Sequence, residues 1–567
     1  MTELLGKWVL TIVIFAPLAW ALILAFIPAS AHSTIRRNAI TGSLVTLVIS
    51  LGMLLLYFQQ KTGDGEQYLS QIGEFALVTQ VPWLGEESGT LSAIDVSYKV
   101  GVDGISVWLV LLTTLLTPLV VWGSFSGIRE RVKEYYALML VLESGMIGVF
   151  CAMDLLLFYI FFEFTLVPMF LIIGIWGSSE RRRAAVKFFI YTLAGSMLTF
   201  AGVLYIAFQA YFADGVFTFD LLKLYALAER GAIPVDIQKW LFLAMAAGFA
   251  IKVPLFPFHT WLPLAHTEAP AGGSVILAAV LLKLGTYGFL RISLPMLPDA
   301  TEYFAHMMAV VAIIGIIYGA LAAWIQKDLK KLVAYSSVSH LGFCILGMFS
   351  LEPAGLTGSV IYMLNHGLST GALFFLVGML YERYHTRRFA DVSGLARKMP
   401  WLAFFLIFFA LSSVALPGLN GFVGEFLVLV GTFTSSGRPS ALGITYAAFA
   451  ALGIILSAVY LLHLCGAVLF GPLKEPEHTP DTEHVKTVDL NFREIGVLAP
   501  IAALCLFLGV YPRPVLDNIQ TSVDRQVLAR IVEQPPLSNW DDRRVVEVDQ
   551  PSALDSQLVA ATEGGAR

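Results

Sequence analysis

Strongly apolar stretches of about 20 residues recur along this 567-residue chain and limit what it can fold into. A helix rises about 1.5 Å per residue, so about 20 apolar residues cross the ~30 Å hydrocarbon core of a bilayer. Hydrophobic residues make up 57% of the chain and charged residues 14%. In soluble domains, about 45–50% of the residues are apolar and about 25% are charged. The sequence therefore predicts an all-α integral membrane protein.

The apolar stretches predict about fourteen transmembrane helices. The first stretch has spanning length, which favours a retained helix over a cleaved signal peptide. The predicted helices cover residues 8–28, 38–58, 103–126, 135–152, 154–176, 186–210, 240–258, 271–295, 306–325, 331–350, 357–381, 400–434, 443–470 and 494–511.

Two of these helices, the seventh and the twelfth, contain sequences that interrupt a helix. The seventh includes Pro254 and Pro257, and the twelfth includes Pro417 and Gly418 near its middle. Proline removes a backbone donor and clashes with the preceding turn. Backbone that leaves helical geometry inside a membrane must be buried in protein or line a wet cavity. We therefore expect broken helices 7 and 12 at a functional site.

Loop charges predict the orientation of the chain. With the N-terminus outside, the cytoplasmic loops hold nineteen Lys and Arg residues and the opposite loops hold seven. This bias follows the positive-inside rule. We therefore expect an even number of spans and both termini outside the cytoplasm.

A weak internal repeat indicates two inverted five-helix units, helices 4–8 and 9–13. Gly195, Gly202, Leu204 and Tyr205 recur 176 residues later, and five predicted spans separate the copies. An odd number of spans turns the second copy upside down, as in many transporters. Helices 1–3, with an external hairpin near 66–100, are predicted in residues 1–134, the first repeat in 135–295 and the second repeat in 296–470. A loop and helix 14 are predicted in 471–511. Residues 512–567 are predicted to form a polar tail that lies outside with little fixed structure.

Seven of the ionisable residues inside predicted spans are candidates for a functional site. A charge at the bilayer centre costs at least about 2.5–3.5 kcal/mol, so each should face protein and have a partner or a function. A single one would fit a structural ion pair, and either histidine would fit a core residue bonded to a carbonyl. A set of both signs favours a proton relay, because such groups exist in two protonation states. The seven are Glu143, Glu163, Lys252, Lys283, His340, His366 and Glu425.

Cofactor or metal sites are not expected in this chain. The four cysteines lack CxxC spacing. His259, His266 and Glu268 lie near a predicted loop, but their spacing does not match that of a metal site and no further ligand accompanies them at a fixed spacing. We therefore predict neither a metal site nor a bound cofactor.

Several further motifs stand out in the sequence: Gly101–Ser106, Phe162–Pro168, Lys252–Pro263, His266–Pro270, Leu281–Lys283, Ala334–Gly342 and Asn420–Phe426. They resemble the motifs of the antiporter-like membrane subunits of respiratory complex I, the NADH:quinone oxidoreductase. The resemblance covers about residues 100–430 and fits fourteen helices.

The resemblance also implies roles for the buried charges. Glu163 and Lys252 would form a coupled pair, and Glu425 on the broken twelfth helix would be the exit group. Lys283, His340 and His366 would continue the axis between them. Relatives of the L and N types usually have lysine at the position of Glu425, so glutamate there is similar to the M type.

By the same resemblance, this chain would translocate protons in the inner membrane of a bacterium. Flavin, iron–sulfur clusters and the quinone chemistry would belong to partner subunits, with L-type and N-type subunits as neighbours. Three alternatives stay open: a multi-subunit cation/proton antiporter, a proton-pumping hydrogenase and a stand-alone solute transporter.

Overall fold

Helices dominate the computed structural model of the protein, which describes residues 2–61, 75–85, 93–476 and 488–532. Twelve of the described helices are long and apolar enough to cross a membrane. Two shorter apolar helices, Pro400–Ser413 and Asn420–Thr434, lie where the sequence predicts a broken span. The all-α membrane architecture is therefore confirmed, while the count of fourteen spans and the inverted repeat stay predictions.

The N-terminal region combines long helices with a β-hairpin. Its elements are α1 (Thr2–Phe26), α2 (His32–Gln60), β1 (Ala76–Leu84), β2 (Ile94–Val102) and α3 (Ser106–Gly123). The two strands pair antiparallel, as expected for the hairpin. Its predicted start, residues 66–74, and its connection, residues 86–92, lie outside the described residues.

The next region contains the first of the predicted repeats. A short strand, β3 (Phe217–Thr218), pairs in parallel with β2. Two π-helical turns, Leu277–Leu281 and Phe289–Ser293, interrupt the buried span 271–296. The helices are α4 (Val132–Cys151), α5 (Leu155–Phe164), α6 (Leu166–Trp176), α7 (Arg181–Asp214), α8 (Leu221–Glu229), α9 (Val235–Lys252), α10 (Leu262–Glu268), α11 (Ala271–Ile276), α12 (Leu282–Gly288) and α13 (Leu294–Met296).

The region of the second predicted repeat consists mainly of long helices. Within it, α15 and α16 are almost entirely enclosed by the rest of the chain. Two short 3-10 turns, Phe389–Asp391 and Leu395–Arg397, precede α17. The helices are α14 (Pro298–Trp324), α15 (Leu329–Phe349), α16 (Pro353–Tyr384), α17 (Pro400–Ser413), α18 (Asn420–Thr434), α19 (Gly443–Leu469) and α20 (Phe492–Val510).

The predicted break in the seventh span lies directly after Lys252. Helix α9 ends at this residue, and helical structure resumes in α10. Pro254 has no N–H with which to continue the helical ladder. The indole N–H of Trp261 donates to the carbonyl of Ile251 at 2.8 Å. This bond satisfies one of the acceptors that the end of a helix leaves free.

The predicted break in the twelfth span separates α17 from α18. Gly418 lies between them with a φ of 90°, which glycine adopts without steric cost. The side chain of Asn365 donates to the carbonyl of Asn420 at 2.6 Å. The hydroxyl of Ser412 donates to the side-chain oxygen of Asn420. A polar side chain therefore pairs with a backbone carbonyl beside the break, and membrane lipid could not supply such a hydrogen bond.

The start of the predicted polar tail is helical, which corrects the expectation of little fixed structure there. Helix α21 (Arg513–Val523) continues through a π-helical turn, Asp524–Leu528, into α22 (Ala529–Val532). Pro514 is compatible with a helix because the first turn needs no N–H donor. Residues spaced by four form a buried face: Val515, Ile519, Val523 and Val527. Residues 533–567 lie outside the described residues.

Candidate functional site

Six of the seven predicted intramembrane charges are at most 2% exposed. A buried charge is stable only where neighbouring groups compensate for its lost hydration, so their contacts indicate what these groups can do. The six are Glu143, Lys252, Lys283, His340, His366 and Glu425.

Lys283 and His366 are in direct contact. The ammonium nitrogen of Lys283 lies 2.6 Å from Nδ1 of His366, and it donates to the carbonyl of Ala278 at 2.5 Å. Ala278 belongs to the π-helical turn that precedes α12. The contact joins α12 to the middle of α16.

His340 is held between two tyrosine hydroxyls. Its Nδ1 lies 2.5 Å from the hydroxyl of Tyr362, and its Nε2 lies 3.1 Å from the hydroxyl of Tyr460. The ring centres of His340 and His366 are 5.7 Å apart. His340 is therefore a side-chain-bonded residue, not a core histidine bonded to a backbone carbonyl.

Glu425 completes the row at the broken twelfth span. The hydroxyl of Tyr362 donates to one carboxylate oxygen, Oε1. The same oxygen lies 3.5 Å from Nδ1 of His340. The other oxygen, Oε2, has no hydrogen-bond partner among the described residues. Glu425, Tyr362 and His340 thus form one polar cluster between α15, α16 and α18.

The two tyrosines of this cluster are functional candidates that the sequence analysis missed. Tyr362 precedes His366 by four residues on α16, so both lie on one helix face. That spacing was the signal available for Tyr362. Tyr460 lies within the apolar helix α19, where a tyrosine resembles any core aromatic residue.

Lys252 lies at the opposite end of the row. Its ammonium nitrogen is 4.7 Å from the ring centre of Phe162 and has no hydrogen-bond partner among the described residues. A Cβ added at Gly285 would lie 3.0 Å from Cβ of Lys252. Glycine therefore lets the end of α9 pack directly against α12, two residues from Lys283.

Glu163 is half-buried, unlike the other six residues. It belongs to α5, whose neighbouring residues Ile160 and Phe164 are exposed at the lateral surface of the chain. The carboxyl group of Glu163 interacts with the hydroxyl of Ser196 and, through space, with Lys252. The predicted pair is thus an electrostatic one without a direct hydrogen bond.

Glu143 stands apart from the other six residues. It is completely buried in α4, beside the hydroxyl of Thr117 on α3. Within the described part of the chain, it makes no hydrogen bond or ion pair to another of the predicted residues. The structure therefore does not join Glu143 to the row.

His266 approaches the row from the side. It is fully buried and stacks on Phe374 with ring centres 4.6 Å apart. Its charge would interact with those of Lys283 and Lys330. Among the residues that the structure describes, no three His, Cys, Asp or Glu side chains are grouped so that they could hold a metal ion.

The row of Lys283, His366, His340, Tyr362 and Glu425 can bind and release protons at successive positions. Lysine, imidazole and carboxyl groups each have a charged and a neutral form. The row has three contacts within hydrogen-bond distance, and one longer step separates the two histidine rings. A water molecule would bridge this step, because it can both donate and accept a hydrogen bond.

The chain is similar in sequence to known membrane proteins. Residues 152–450 match the family of transmembrane proteins described as NADH:quinone oxidoreductase/Mrp antiporter. NADH-quinone oxidoreductase subunit M of Rhodobacter capsulatus is 43% identical over 523 residues, which cover 91% of this chain and 95% of that protein.

Solved structures share the fold. A chain of respiratory complex I from Thermus thermophilus, determined with bound NADH, is 30% identical, with a TM-score of 0.76 and coverage of 91% of this chain and 99% of that one. A chain of the Mrp complex from Dietzia is 20% identical, with a TM-score of 0.75 and coverage of 93% and 99%, and shows the fold alone. This chain therefore belongs to the NADH:quinone oxidoreductase/Mrp antiporter family of membrane subunits, of which subunit M is a member.

Proposed function

We propose that this chain is a proton-translocating membrane subunit of an NADH:quinone oxidoreductase. The observation that carries the proposal is the buried row that starts with the contact of Lys283 and His366 and ends at Glu425. Ionisable groups inside a membrane are costly and mark proton or ion pathways. The energy for proton movement comes from quinone reduction elsewhere in the complex.

Each end of the row has its own role in this proposal. Glu163 and Lys252 form the coupled pair at one end, and Glu425 is the exit group at the other. Lys283, His366 and His340 pass protons between them. Glu143 is a further proton-binding carboxyl group outside the row, beside α3.

Coupling between Glu163 and Lys252 is electrostatic. Two unit charges 4 Å apart interact by about 4 kcal/mol at an effective dielectric constant of about 20. The carboxylate and the ammonium make no hydrogen bond, and the ring of Phe162 lies beside the ammonium. Their interaction is therefore on the order of 4 kcal/mol or less. Protonation of one group still changes the proton affinity of the other.

The partners of the chain follow from the same proposal. Other membrane subunits of the complex flank it, with L-type and N-type subunits as its neighbours. Flavin and iron–sulfur clusters lie in partner subunits that carry the electrons. The chain lies in the inner membrane of a bacterium, with both termini outside the cytoplasm.

A subunit of a multi-subunit cation/proton antiporter is the second candidate function. The similarity in fold to the Mrp complex from Dietzia favours this candidate over a solute transporter. The M subunit of Rhodobacter capsulatus supports the oxidoreductase instead, because its similarity extends over almost the whole chain at 43% identity. A carboxylate at position 425, as in the M type, also supports the oxidoreductase.

Purification of the native complex through a tag on this chain tests the proposal. The expected complex contains flavin and iron–sulfur proteins and pumps protons into vesicles when NADH and a quinone are added. A complex that contains only antiporter subunits and exchanges Na⁺ for protons without oxidising NADH would overturn it.

A further inference from the structure

Tyr362 lies between the last histidine of the row and the proposed exit group. Its hydroxyl contacts Nδ1 of His340 at 2.5 Å and donates to Oε1 of Glu425. We propose that Tyr362 carries the proton from His340 to Glu425, and that Tyr460 is a positioning residue for the ring of His340. This inference rests on the proposed function and adds a residue to it.

Counting donors gives the direction of these hydrogen bonds. A tyrosine hydroxyl has one hydrogen, and that of Tyr362 is donated to Glu425. The oxygen of Tyr362 must then accept its other hydrogen bond from Nδ1 of His340. Nδ1 therefore carries a hydrogen in this arrangement, as assigned from the network. Both bonds have their donors aimed at Glu425.

Transfer along this path conserves protons and charge. Protonated His340 gives its Nδ1 hydrogen to the oxygen of Tyr362 while Tyr362 gives its own hydrogen to the carboxylate of Glu425. One N–H bond and one O–H bond break, and two O–H bonds form. The products are neutral His340, neutral Tyr362 and the carboxylic acid of Glu425. One positive charge moves toward Glu425, and no electron is transferred.

The path through the hydroxyl is shorter at each step than the direct one. Nδ1 of His340 lies 3.5 Å from Oε1 of Glu425. Charge-assisted hydrogen bonds between nitrogen and oxygen are about 2.7–2.9 Å long. The 2.5 Å contact to Tyr362 lies well inside hydrogen-bond distance. Proton transfer requires such contact, so the hydroxyl is the favoured route.

Packing fixes the ring of Tyr362 independently of its hydroxyl. The residue is 3% exposed. A Cβ added at Gly424 would lie 2.7 Å from Cβ of Tyr362, so glycine is required where the two helices meet. The ring of Phe343 lies edge-on with a centre distance of 6.2 Å. A phenylalanine at position 362 would keep these contacts and remove only the hydroxyl.

Tyr460 contacts the same histidine from its other side. Its hydroxyl is 3.1 Å from Nε2 of His340, and its side chain is completely buried in α19. It makes no described hydrogen bond to Glu425. Removing its hydroxyl should loosen the orientation of the imidazole without interrupting the path from Nδ1 to Glu425.

The test compares three tyrosine-to-phenylalanine variants in membranes with equal content of assembled complex. Proton pumping driven by NADH should fall at least about tenfold in Tyr362→Phe, since positioned proton-transfer groups contribute about 10²–10⁴-fold. In Tyr460→Phe, proton pumping should fall by less than about threefold, because only the hydrogen bond that positions His340 is lost. Tyr135→Phe is the matched control and should pump normally. The buried hydroxyl of Tyr135 contacts Ser124, which is not part of the row.

Incorporation of fluorotyrosine separates a proton carrier from a packing residue. Ring fluorine makes the phenol hydroxyl more acidic with little change in shape. At position 362 it should shift the pH profile of pumping, and at position 460 it should leave that profile close to wild type. The infrared band of the protonated carboxyl group of Glu425 should also change in Tyr362→Phe.

Two results would overturn the role of Tyr362. Tyr362→Phe that pumps within about twofold of wild type would show that the hydroxyl carries no proton. Equal losses in Tyr362→Phe and Tyr460→Phe would contradict the division between carrier and positioning residue. Glu425→Gln, measured in parallel, separates the two levels: normal pumping there contradicts the proposed function, whereas blocked pumping beside a normal Tyr362→Phe contradicts this inference alone.

Discussion

The ammonium nitrogen of Lys283 contacts Nδ1 of His366 at 2.6 Å and so connects α12 with α16. These helices belong to the two predicted repeats. Because a charged ammonium donates hydrogen bonds and cannot accept them, Nδ1 must act as the acceptor while the lysine is protonated. The two groups compete for protonation, and this competition couples one half of the molecule to the other.

The Lys283–His366 contact predicts non-additive effects of mutation. Lys283→Met and His366→Ala should each lower proton pumping by more than about tenfold, because each interrupts the row. The double variant should lose little more than the worse single variant, since contacting residues that act together are not additive. NADH-driven pumping in the four matched membranes measures this cycle.

His463 provides a control for the histidine substitution. It is exposed on α19, and its ring lies 5.6 Å from that of Phe389. His463→Ala should pump as wild type does. Additive losses from Lys283→Met and His366→Ala would indicate two independent functions in place of one path.

Removal of either member of the Glu163–Lys252 pair should stop coupled turnover. We expect Glu163→Ala and Lys252→Ala to assemble but to lose pumping by more than about tenfold. Glu134→Ala is the control, because its carboxylate lies in an exposed pair with Arg131, and such pairs contribute only about 0–1 kcal/mol. Near-normal pumping by assembled Glu163→Ala would refute the coupled pair.

Close packing of α9 on α12 gives a prediction about stability. A methyl group at Gly285 would lie 2.8 Å from Cγ2 of Val253. Gly285→Ala should therefore destabilise the subunit by about 1–3 kcal/mol through overpacking and lower pumping, because it separates Lys252 from α12. Gly315→Ala meets nothing within 4 Å in α14 and should stabilise its helix by about 0.5–1 kcal/mol. Thermal midpoints of the purified complex compare the two, and equal midpoints would contradict the packing argument.

Topology is testable with reporter fusions. The positive-inside bias predicts that Arg183 lies in the cytoplasm and that the C-terminus lies outside. Fusions at these two positions should therefore report opposite sides of the membrane. The same side for both would contradict the span count and the inverted repeat together.

The sequence was sufficient to predict the long apolar helices and the ionisable residues of the row, Lys283, His340, His366 and Glu425. Spanning length, with few charges, is a strong signal because lipid allows few alternatives to helices. Ionisable residues such as Lys283 and Glu425 were apparent because their burial in a membrane is costly. The positions of prolines predicted both breaks, and the structure confirms them because α9 and α17 end at these places.

Contacts between helices could not be predicted in the same way. Tyr362 joins His340 to Glu425 only because α15, α16 and α18 cross at one point, and the apolar patterns of buried helices do not specify their crossing. The partial burial of Glu163 likewise depends on which helices cover α5. The helix beginning at Arg513 was missed because Pro512 and Pro514, which are typical of irregular tails, lie at its N-cap and in its first turn.

Substitutions at Glu425 should distinguish the carboxyl chemistry of the exit group. Glu425→Asp should keep part of the activity, because the carboxyl group survives with a shorter reach. The activity of Glu425→Lys should lie between the activities of Glu425→Asp and Glu425→Gln. Its pH profile should differ from that of wild type, because the charged form of lysine has the opposite sign. Quinone-dependent NADH oxidation at several pH values measures both variants. A lysine variant with the wild-type profile would contradict a titrating carboxyl group at this position.

The most direct test of the account is proton pumping by Glu425→Gln in membranes with equal complex content. The amide cannot take up a proton near neutral pH, although it has almost the shape of the carboxyl group that accepts the hydrogen bond from Tyr362. NADH-driven pumping through this subunit should be blocked while the complex still assembles. Pumping equal to wild type would show that protons do not leave the row through Glu425.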